Sequence, residues 1–351
     1  LGKKPKATAA IVNSTSIKTL LKKVIPKIIW RTVKEIQQIR FDKHAAQELK
    51  QAVQTFAPDI VYERSAWMSN GSVDVLKAFN IKHIVEINAP FEEEVKEFEK
   101  ASSFISIIGK KKLNNLLQSA TLIAPITTSL EKYIVENYEV NPSNCLVVPN
   151  AIDKQEIQIN ESRVEAINKQ FNLSEVTVIG FVGSIFPYHG VDRLITGVSK
   201  LKYTDIAILI VGDGYLIPEL KELASKLEIS SRVHFTGSVP KEDVYNYISA
   251  MDILTLPNTE WYCSPVKLFE YGAFGKTILA VNEAGVSDVM SREEGVLFEN
   301  NDSAFQDALL VAITEVDALE IKAKRFQQKV FATHNWRANA RKVLQQINSE
   351  K

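Results

Sequence analysis

Two cysteines, Cys145 and Cys263, are all that the 351 residues contain. Neither a disulfide framework nor a metal-ligand spacing can be built from them, and such usage fits a reducing compartment, read here as the cytoplasm. Long apolar runs are missing too: none approaches the roughly 20 residues of a membrane-spanning helix. There is no Walker A loop, no Gly-x-Ser-x-Gly elbow, no His-Glu-x-x-His and no Asp-x-Asp. P-loop phosphoryl transfer, serine hydrolysis of the elbow type and zinc proteolysis therefore lack their residues, and no metal is expected. A dinucleotide fingerprint is also incomplete, since Gly212-Asp213-Gly214-Tyr215-Leu216-Ile217 stops short of its third glycine.

Net charge is absent as well, with 42 basic and 42 acidic side chains, but the balance is uneven. Residues 1–50 hold twelve Lys and Arg against Glu35, Asp42 and Glu48. Within them Ile17, Leu20, Leu21, Val24 and Ile28 recur at helical spacing, while Lys18, Lys22, Lys23 and Lys27 take the other faces. Such a segment either packs on a core with its basic face solvated or lies on an anionic membrane, and Pro26 interrupts both patterns. A peripheral membrane contact through residues 17–31, at the inner face, is carried forward. Nucleic acid is not expected, because no aromatic other than Trp30 is interleaved with the basic residues of 17–31. The opening Leu1-Gly2-Lys3-Lys4 has neither Met nor a signal pattern, so a first domain shortened at its start is expected.

What is present is a strand–helix alternation. A chain of this length divides in two, since single cores stop growing near 250–300 residues. In the first half a helix is expected over 42–56, then strands at 59–63, 81–87, 121–124 and 145–148, with helices between them. Glu63, Arg64, Glu86 and Asn88 fall at strand ends, where they serve either as ligand groups or as turn and salt-bridge residues. The acidic run 92–99 reads as a solvated helix face. In the second half, Val176–Gly183 and 206–211 are continuous apolar runs of the kind buried in parallel sheets, followed by strands at 233–237, 253–256 and 277–281. Four successive strands end in Gly or Pro turns on one sheet edge, including Gly183-Ser184, Gly212, Gly237-Ser238-Val239 and Pro257. His189 sits in the first of those loops, where its ring N–H can donate to a phosphate oxygen.

Residues 257–276, PNTEWYCSPVKLFEYGAFGK, organise the rest. Ser264 reads as an N-cap and Pro265 as the first helical residue, which leaves free N–H groups and a positive dipole end for an anion. Glu270, one turn in, suits ribose hydroxyls. Together they describe a nucleotide; taken alone, the stretch also fits a surface helix with an ordinary cap.

With VVPNAID at 147–153, GFVGSIFPYHGVDRLI at 180–195, ILIVGDG at 208–214, VHFTGSVPKEDVYNYISAMDI at 233–253 and SPVKLFEYGAFGK at 264–276, the chain resembles the retaining group 1 (family 4) glycosyltransferases, in a PxHG-containing variant. The resemblance covers roughly residues 42–349. It implies an α/β protein of the GT-B fold, two Rossmann-like doubly wound domains facing a cleft. Residues 1–150 would be the acceptor-side domain, 151–335 the nucleotide-sugar domain, and 336–351 a helix crossing back. It further implies that Glu270 holds the ribose and that Val239, beside Ser238, meets the base. Gly183, with Ser184 and Gly212 near it, lets the diphosphate approach, and Ser264, Pro265 and Val266 form the turn that donates to it. His189, Glu86 and Asn88 are the candidate catalytic groups, with Lys267 a candidate cation. The implied activity is metal-independent transfer of a sugar, with retention, from a nucleotide-diphosphate sugar to a glycan, glycolipid or other lipid-linked acceptor, without a cofactor.

The sequence departs from the family pattern in three places. Tyr262 stands where many members have a glutamate, the loop after the first strand of the second domain offers Ser184 and His189 instead of Arg and Lys, and the first domain's opening strand and Gly-rich turn are not found. Two other readings therefore stand beside the transferase: a nucleotide-sugar epimerase of the same architecture, and a degenerate scaffold that binds nucleotide or a protein partner without catalysis.

Overall fold

The structure, a computed structural model, describes residues 26–99 and 104–349. It divides into two units: one runs to Ala124 and adds Tyr133–Cys145, and the other comprises Pro125–Lys132 and Leu146–Lys351. Residues 17–25 of the basic amphipathic segment lie outside the described residues.

The first unit opens with a helix, α1 (Lys27–Phe56), with Pro26 as its N-cap and Ala57 in the left-handed conformation as its C-cap. It begins fifteen residues before the expected Asp42, because proline is tolerated at a helix start. There follow β1 (Ile60–Arg64), α2 (Ser72–Ala78), β2 (Lys82–Ile87), α3 (Phe91–Glu99), α4 (Ser106–Ser119), β3 (Leu122–Pro125) and α5 (Thr128–Asn137), of which Pro125–Lys132 is counted with the second unit. The sheet runs in the order β1-β2-β3, with β1 parallel to β2 from Ile60↔Lys82 to Arg64↔Glu86. The strand expected at 145–148 is reduced to a single bridge between Ile123 and Cys145. Its apolar residues lead straight into Pro149, and Val148 N–H donates to the Pro125 carbonyl at 2.9 Å outside any ladder.

The second unit continues with α6 (Glu161–Phe171), β4 (Thr177–Val182), α7 (Val191–Ser199), β5 (Ile206–Val211), α8 (Ile217–Lys226), β6 (Val233–Phe235), α9 (Val244–Ser249) and β7 (Ile253–Leu256). It closes with α10 (Val266–Ala273), β8 (Thr277–Val281), α11 (Ala284–Ser287), β9 (Val296–Phe298), α12 (Asp302–Thr314), α13 (Val316–Thr333) and α14 (Trp336–Ser349). All pairings given for its sheet are parallel, in the order β6-β5-β4-β7-β8-β9. One apolar layer on each face covers it, one built around Phe269 and Tyr271, the other around Phe181 and Phe305. That double covering is why β4 and β5 are apolar without alternation. The fold is α/β of the GT-B class.

Candidate functional site

Strand order locates the site before any side chain is considered. β4 is the first strand of its unit, with the next two on one side and the following three on the other. The winding reverses between β4 and β7, and open α/β sheets bind ligands beyond the carboxyl ends of the strands at such a reversal. Two segments leave from there: 183–190 after β4, and 257–265, which leads into α10.

Three glycines knit this edge together. Gly183, Gly212 and Gly237 have φ of +141°, +133° and +71°. Gly183 N–H donates to the Val211 carbonyl at 2.9 Å and Gly212 N–H to the Gly237 carbonyl at 3.1 Å. A Cβ on Gly212 would sit 2.0 Å from the Gly183 carbonyl oxygen. The backbone therefore presents a closely packed, side-chain-free shelf.

The start of α10 corrects the capping expectation by one residue. Pro265, not Ser264, is the N-cap, and Val266 opens the helix. Ser264 is otherwise engaged: its hydroxyl accepts from Asn150 N–H at 3.1 Å, and its carbonyl accepts from the Asn150 amide at 2.6 Å. The first intrahelical bond is Leu268 N–H to the Pro265 carbonyl, so the Val266 and Lys267 N–H groups precede it. Val266 is exposed.

The helix is fixed in place by the residue after Glu270. Tyr271 is fully buried, and its hydroxyl accepts from Val182 N–H at 2.8 Å, at the end of β4. Thr255 Oγ1 adds a donation to the Gly180 carbonyl at 2.8 Å and ties β7 to β4 at the reversal. Tyr271→Phe leaves the buried Val182 N–H unpaired and is expected to cost about 1–3 kcal/mol in urea unfolding. A variant as stable as the parent chain would show that Tyr271 does not anchor α10. Glu270 itself is half-buried. Burial raises its carboxyl above the usual range, Lys267 and Lys241 pull it back, and Glu156 adds to the rise.

Lys267 is the least ordinary residue of the site. Its Nζ is buried without a hydrogen-bond partner, 4.4 Å from the centre of the Phe181 ring. A Cβ on Gly183 would come within 2.8 Å of that Nζ, so the glycine is what leaves the ammonium room. Burial lowers the amine to about 7, against the opposing pull of Glu270 and Cys263. His189 lies on the same aromatic, with ring centres 5.5 Å apart, and packs on Tyr188 at 4.3 Å. Its Nδ1 is buried and unpartnered. Burial and the nearby Lys267 lower the imidazole to about 3, against a backbone interaction with Ser184, so the ring is neutral at neutral pH. A neutral imidazole still offers one N–H.

Gly183, Ser184, His189, Gly212, Ser264, Pro265, Val266, Lys267 and Glu270 thus gather around one sheet edge. Ser238 is exposed after β6, and Val239 packs partly on the core. Tyr262 is buried, stacked edge-on with Trp261 at 5.4 Å. Glu86 and Asn88 belong to the other unit. There Glu86 accepts from the Tyr62 hydroxyl at 2.8 Å and pairs with Arg64 at 3.4 Å. With its amide oxygen turned to the guanidinium, Asn88 accepts from Arg64 Nε at 2.7 Å. Both are thus engaged in a strand-end cluster. Sequence reasoning missed Phe181, the platform under both Lys267 and His189, and Asn150, the clamp on Ser264. The stretch 147–153 carried Asn150 in view, but nothing local revealed a partner 114 residues away. Among the described residues no group of three His, Cys, Asp or Glu is placed to hold a metal ion, and no helix is long and apolar enough to cross a membrane.

Comparison with known proteins bears on this edge directly. Residues 176–315 match the family described as glycosyl transferases group 1. Among curated proteins, the chain is 30% identical over 116 residues to the 2-deoxystreptamine glucosyltransferase of Streptomyces kanamyceticus, covering 32% of this chain and 30% of that protein. It is 22% identical over 248 residues to the phosphatidylinositol N-acetylglucosaminyltransferase GPI3 subunit of Saccharomyces cerevisiae (strain YJM789), covering 70% and 54%. The chain therefore spans about half of that relative, or less of the other. Among solved structures, Anabaena HepE in complex with UDP superposes with a TM-score of 0.71 at 14% identity, over 87% of this chain and 82% of that one. At that identity the likeness shows the fold.

Proposed function

We propose that the chain is a retaining group 1 glycosyltransferase that takes a nucleotide-diphosphate sugar as donor. The observation that carries the reading is the buried, unpartnered Lys267 ammonium beside the Gly183 turn and the α10 N-terminus, one helical turn from Glu270. An unpaired buried cation is costly, and an anion that enters the site relieves that cost. The diphosphate accepts from Lys267, from the Val266 and Lys267 N–H groups and from the neutral His189 ring. Glu270 accepts from the ribose hydroxyls, and the base lies against the backbone of Ser238 and Val239.

As the bond between sugar and diphosphate breaks, negative charge grows on the leaving oxygen. Under this reading Lys267, the helix N–H groups and His189 stabilise that charge, and donors fixed before the reaction are how such sites lower a barrier. The charge is met without recourse to a metal. The acceptor is a glycan or lipid-linked hydroxyl; of the two curated relatives, one is named for phosphatidylinositol and the other for 2-deoxystreptamine. Residues 1–150 supply the acceptor side under this reading, with Glu86 and Asn88 near it.

Tyr262 supports a second reading, a scaffold without turnover, because it stands where many related enzymes carry a glutamate near the donor sugar. A panel of nucleotide sugars incubated with the chain and mixed glycan and glycolipid acceptors separates the readings by chromatography of the nucleotides. Free nucleotide diphosphate with labelled acceptor supports the transferase. An isomerised donor without nucleotide release supports the epimerase instead, and binding without either product supports the scaffold.

A further inference from the structure

The loops that leave β4 and β5 in the second unit carry aromatic rings that its core does not absorb. Phe186 and Tyr215 are 37% and 65% exposed. Phe186 stacks on Tyr188 with ring centres 5.8 Å apart and planes 22° from parallel, and it meets Tyr215 at 6.0 Å. The same ring lies 6.4 Å from His189. One aromatic surface therefore runs from His189 out to Tyr215. Single exposed rings need no explanation, whereas rings gathered into one patch mark an interaction site.

Phe186 is also one wall of a groove of about 320 Å³ between α7 and α8, with Val191, Leu216, Leu220 and Leu223 along its apolar lining. That volume lies at the small end of the range for small-molecule sites, about 300–1,000 Å³. Two carboxylates complete the lining: Asp192 from the first turn of α7 and Glu219 from the first turn of α8. One acid in a first turn is ordinary, since it complements the helix dipole. Here two, from adjacent helices, flank one apolar wall. Both are exposed, and neither has a hydrogen-bond or ion-pair partner among the described residues.

This combination selects a ligand class. Carboxylates repel phosphates, nucleic acid and anionic lipid, and a purely apolar ligand would leave them desolvated and unpaired. A pyranose ring supplies what both parts need, a face of C–H groups for the aromatic ring and a rim of hydroxyl donors for the carboxylates. Position favours a sugar over a basic peptide, because the aromatic surface ends on His189, where the donor reading puts the diphosphate and hence the glycosyl group in transfer.

We infer that the groove between α7 and α8 is a carbohydrate subsite for the acceptor, in which one pyranose ring lies on Phe186 and donates hydroxyls to Asp192 and Glu219, while Tyr215 extends the platform to the next sugar. The acceptor is then a glycan held in part by the donor-binding unit, a role that rests on the proposed donor reading. Saturation-transfer NMR of the full chain tests it with neutral α- and β-linked trisaccharides of glucose, galactose, mannose and N-acetylglucosamine, beside calorimetry of UDP, GDP and ADP on the same samples. At least one trisaccharide should bind, with saturation strongest at the C–H protons of one ring face, and should stay bound when a nucleoside diphosphate is added. Phe186→Ala and the double variant Asp192→Asn/Glu219→Gln should each weaken that binding at least ~10-fold. The double variant changes only exposed carboxylates and should keep the parent's circular dichroism and nucleotide affinity. If a nucleotide binds but no trisaccharide does, or if both variants bind the trisaccharide as the parent does, the subsite is overturned and the donor reading stands. Displacement of the trisaccharide by a nucleotide sugar, but not by the nucleoside diphosphate, would assign the groove to the donor's own sugar and overturn the acceptor role. A trisaccharide that binds and is lost in Phe186→Ala while no nucleotide binds would support the groove and count against the donor reading instead.

Discussion

Lys267→Met is expected to bind nucleoside diphosphate about 100-fold more weakly than the parent chain while unfolding no more easily. The two effects have opposite signs for one reason. In the folded chain the Lys267 ammonium is buried on the Phe181 face with no hydrogen-bond partner, so removing it relieves a desolvation cost and stability rises by about 1 kcal/mol. Under the proposed donor reading the same ammonium donates to the diphosphate in a poorly solvated site, and charged hydrogen bonds of that kind are worth about 1.5–3 kcal/mol. Proton linkage gives a second signature. With the folded amine lowered to about 7 from 10.5, the unfolded chain binds a proton between those pH values that the folded chain does not. Stability of the parent chain therefore rises with pH across that window, and Lys267→Met loses this part of the slope. Diphosphate binding above pH 7 restores the charge and takes up close to one proton, read as buffer-dependent enthalpy in calorimetry. Unchanged affinity in Lys267→Met would place the cation outside the site.

Gly212→Ala is expected to destabilise the second unit by about 3 kcal/mol or more in urea unfolding. Its φ of +133° is one that L side chains rarely adopt, and the new methyl would press on the Gly183 carbonyl oxygen at 2.0 Å. That oxygen belongs to backbone held by the Gly183 N–H bond to Val211, so it cannot swing aside as a side chain would. Gly237 is the internal control. It shares a positive φ of +71° but has nothing within 4 Å of an added Cβ, so Gly237→Ala should cost about 1 kcal/mol. Equal losses at the two positions would mean that backbone conformation alone, without the close approach, sets the cost.

The second unit was legible because its signals are local. Continuous apolar runs mark β4 and β5 as buried parallel strands, and the glycines after them mark the edge where a ligand approaches. The helix bearing Glu270 was found for the same reason, although its cap was misplaced by one residue. Ser264 is a good capping residue by type, but Asn150 engages both its hydroxyl and its carbonyl, and no spacing in the sequence announces that pairing. Phe181 escaped notice because an aromatic in a buried strand is ordinarily core. Only the structure shows Lys267 and His189 on its face. In the first unit, Tyr62, Arg64, Glu86 and Asn88 form one cluster at parallel strand ends. Sequence position could mark that edge but could not distinguish a ligand group from a salt bridge. The strand expected at 145–148 failed because apolar composition does not supply a pairing partner.

Calorimetric titration of UDP, GDP and ADP into the purified chain and into Glu270→Ala tests the nucleotide site most directly. One nucleotide should bind the parent chain, and Glu270→Ala should bind it about 100-fold more weakly, since the ribose hydroxyls lose a charged acceptor. If no nucleotide binds, or if Glu270→Ala binds as tightly as the parent chain, the edge built from Gly183, Lys267 and Glu270 is not a donor site.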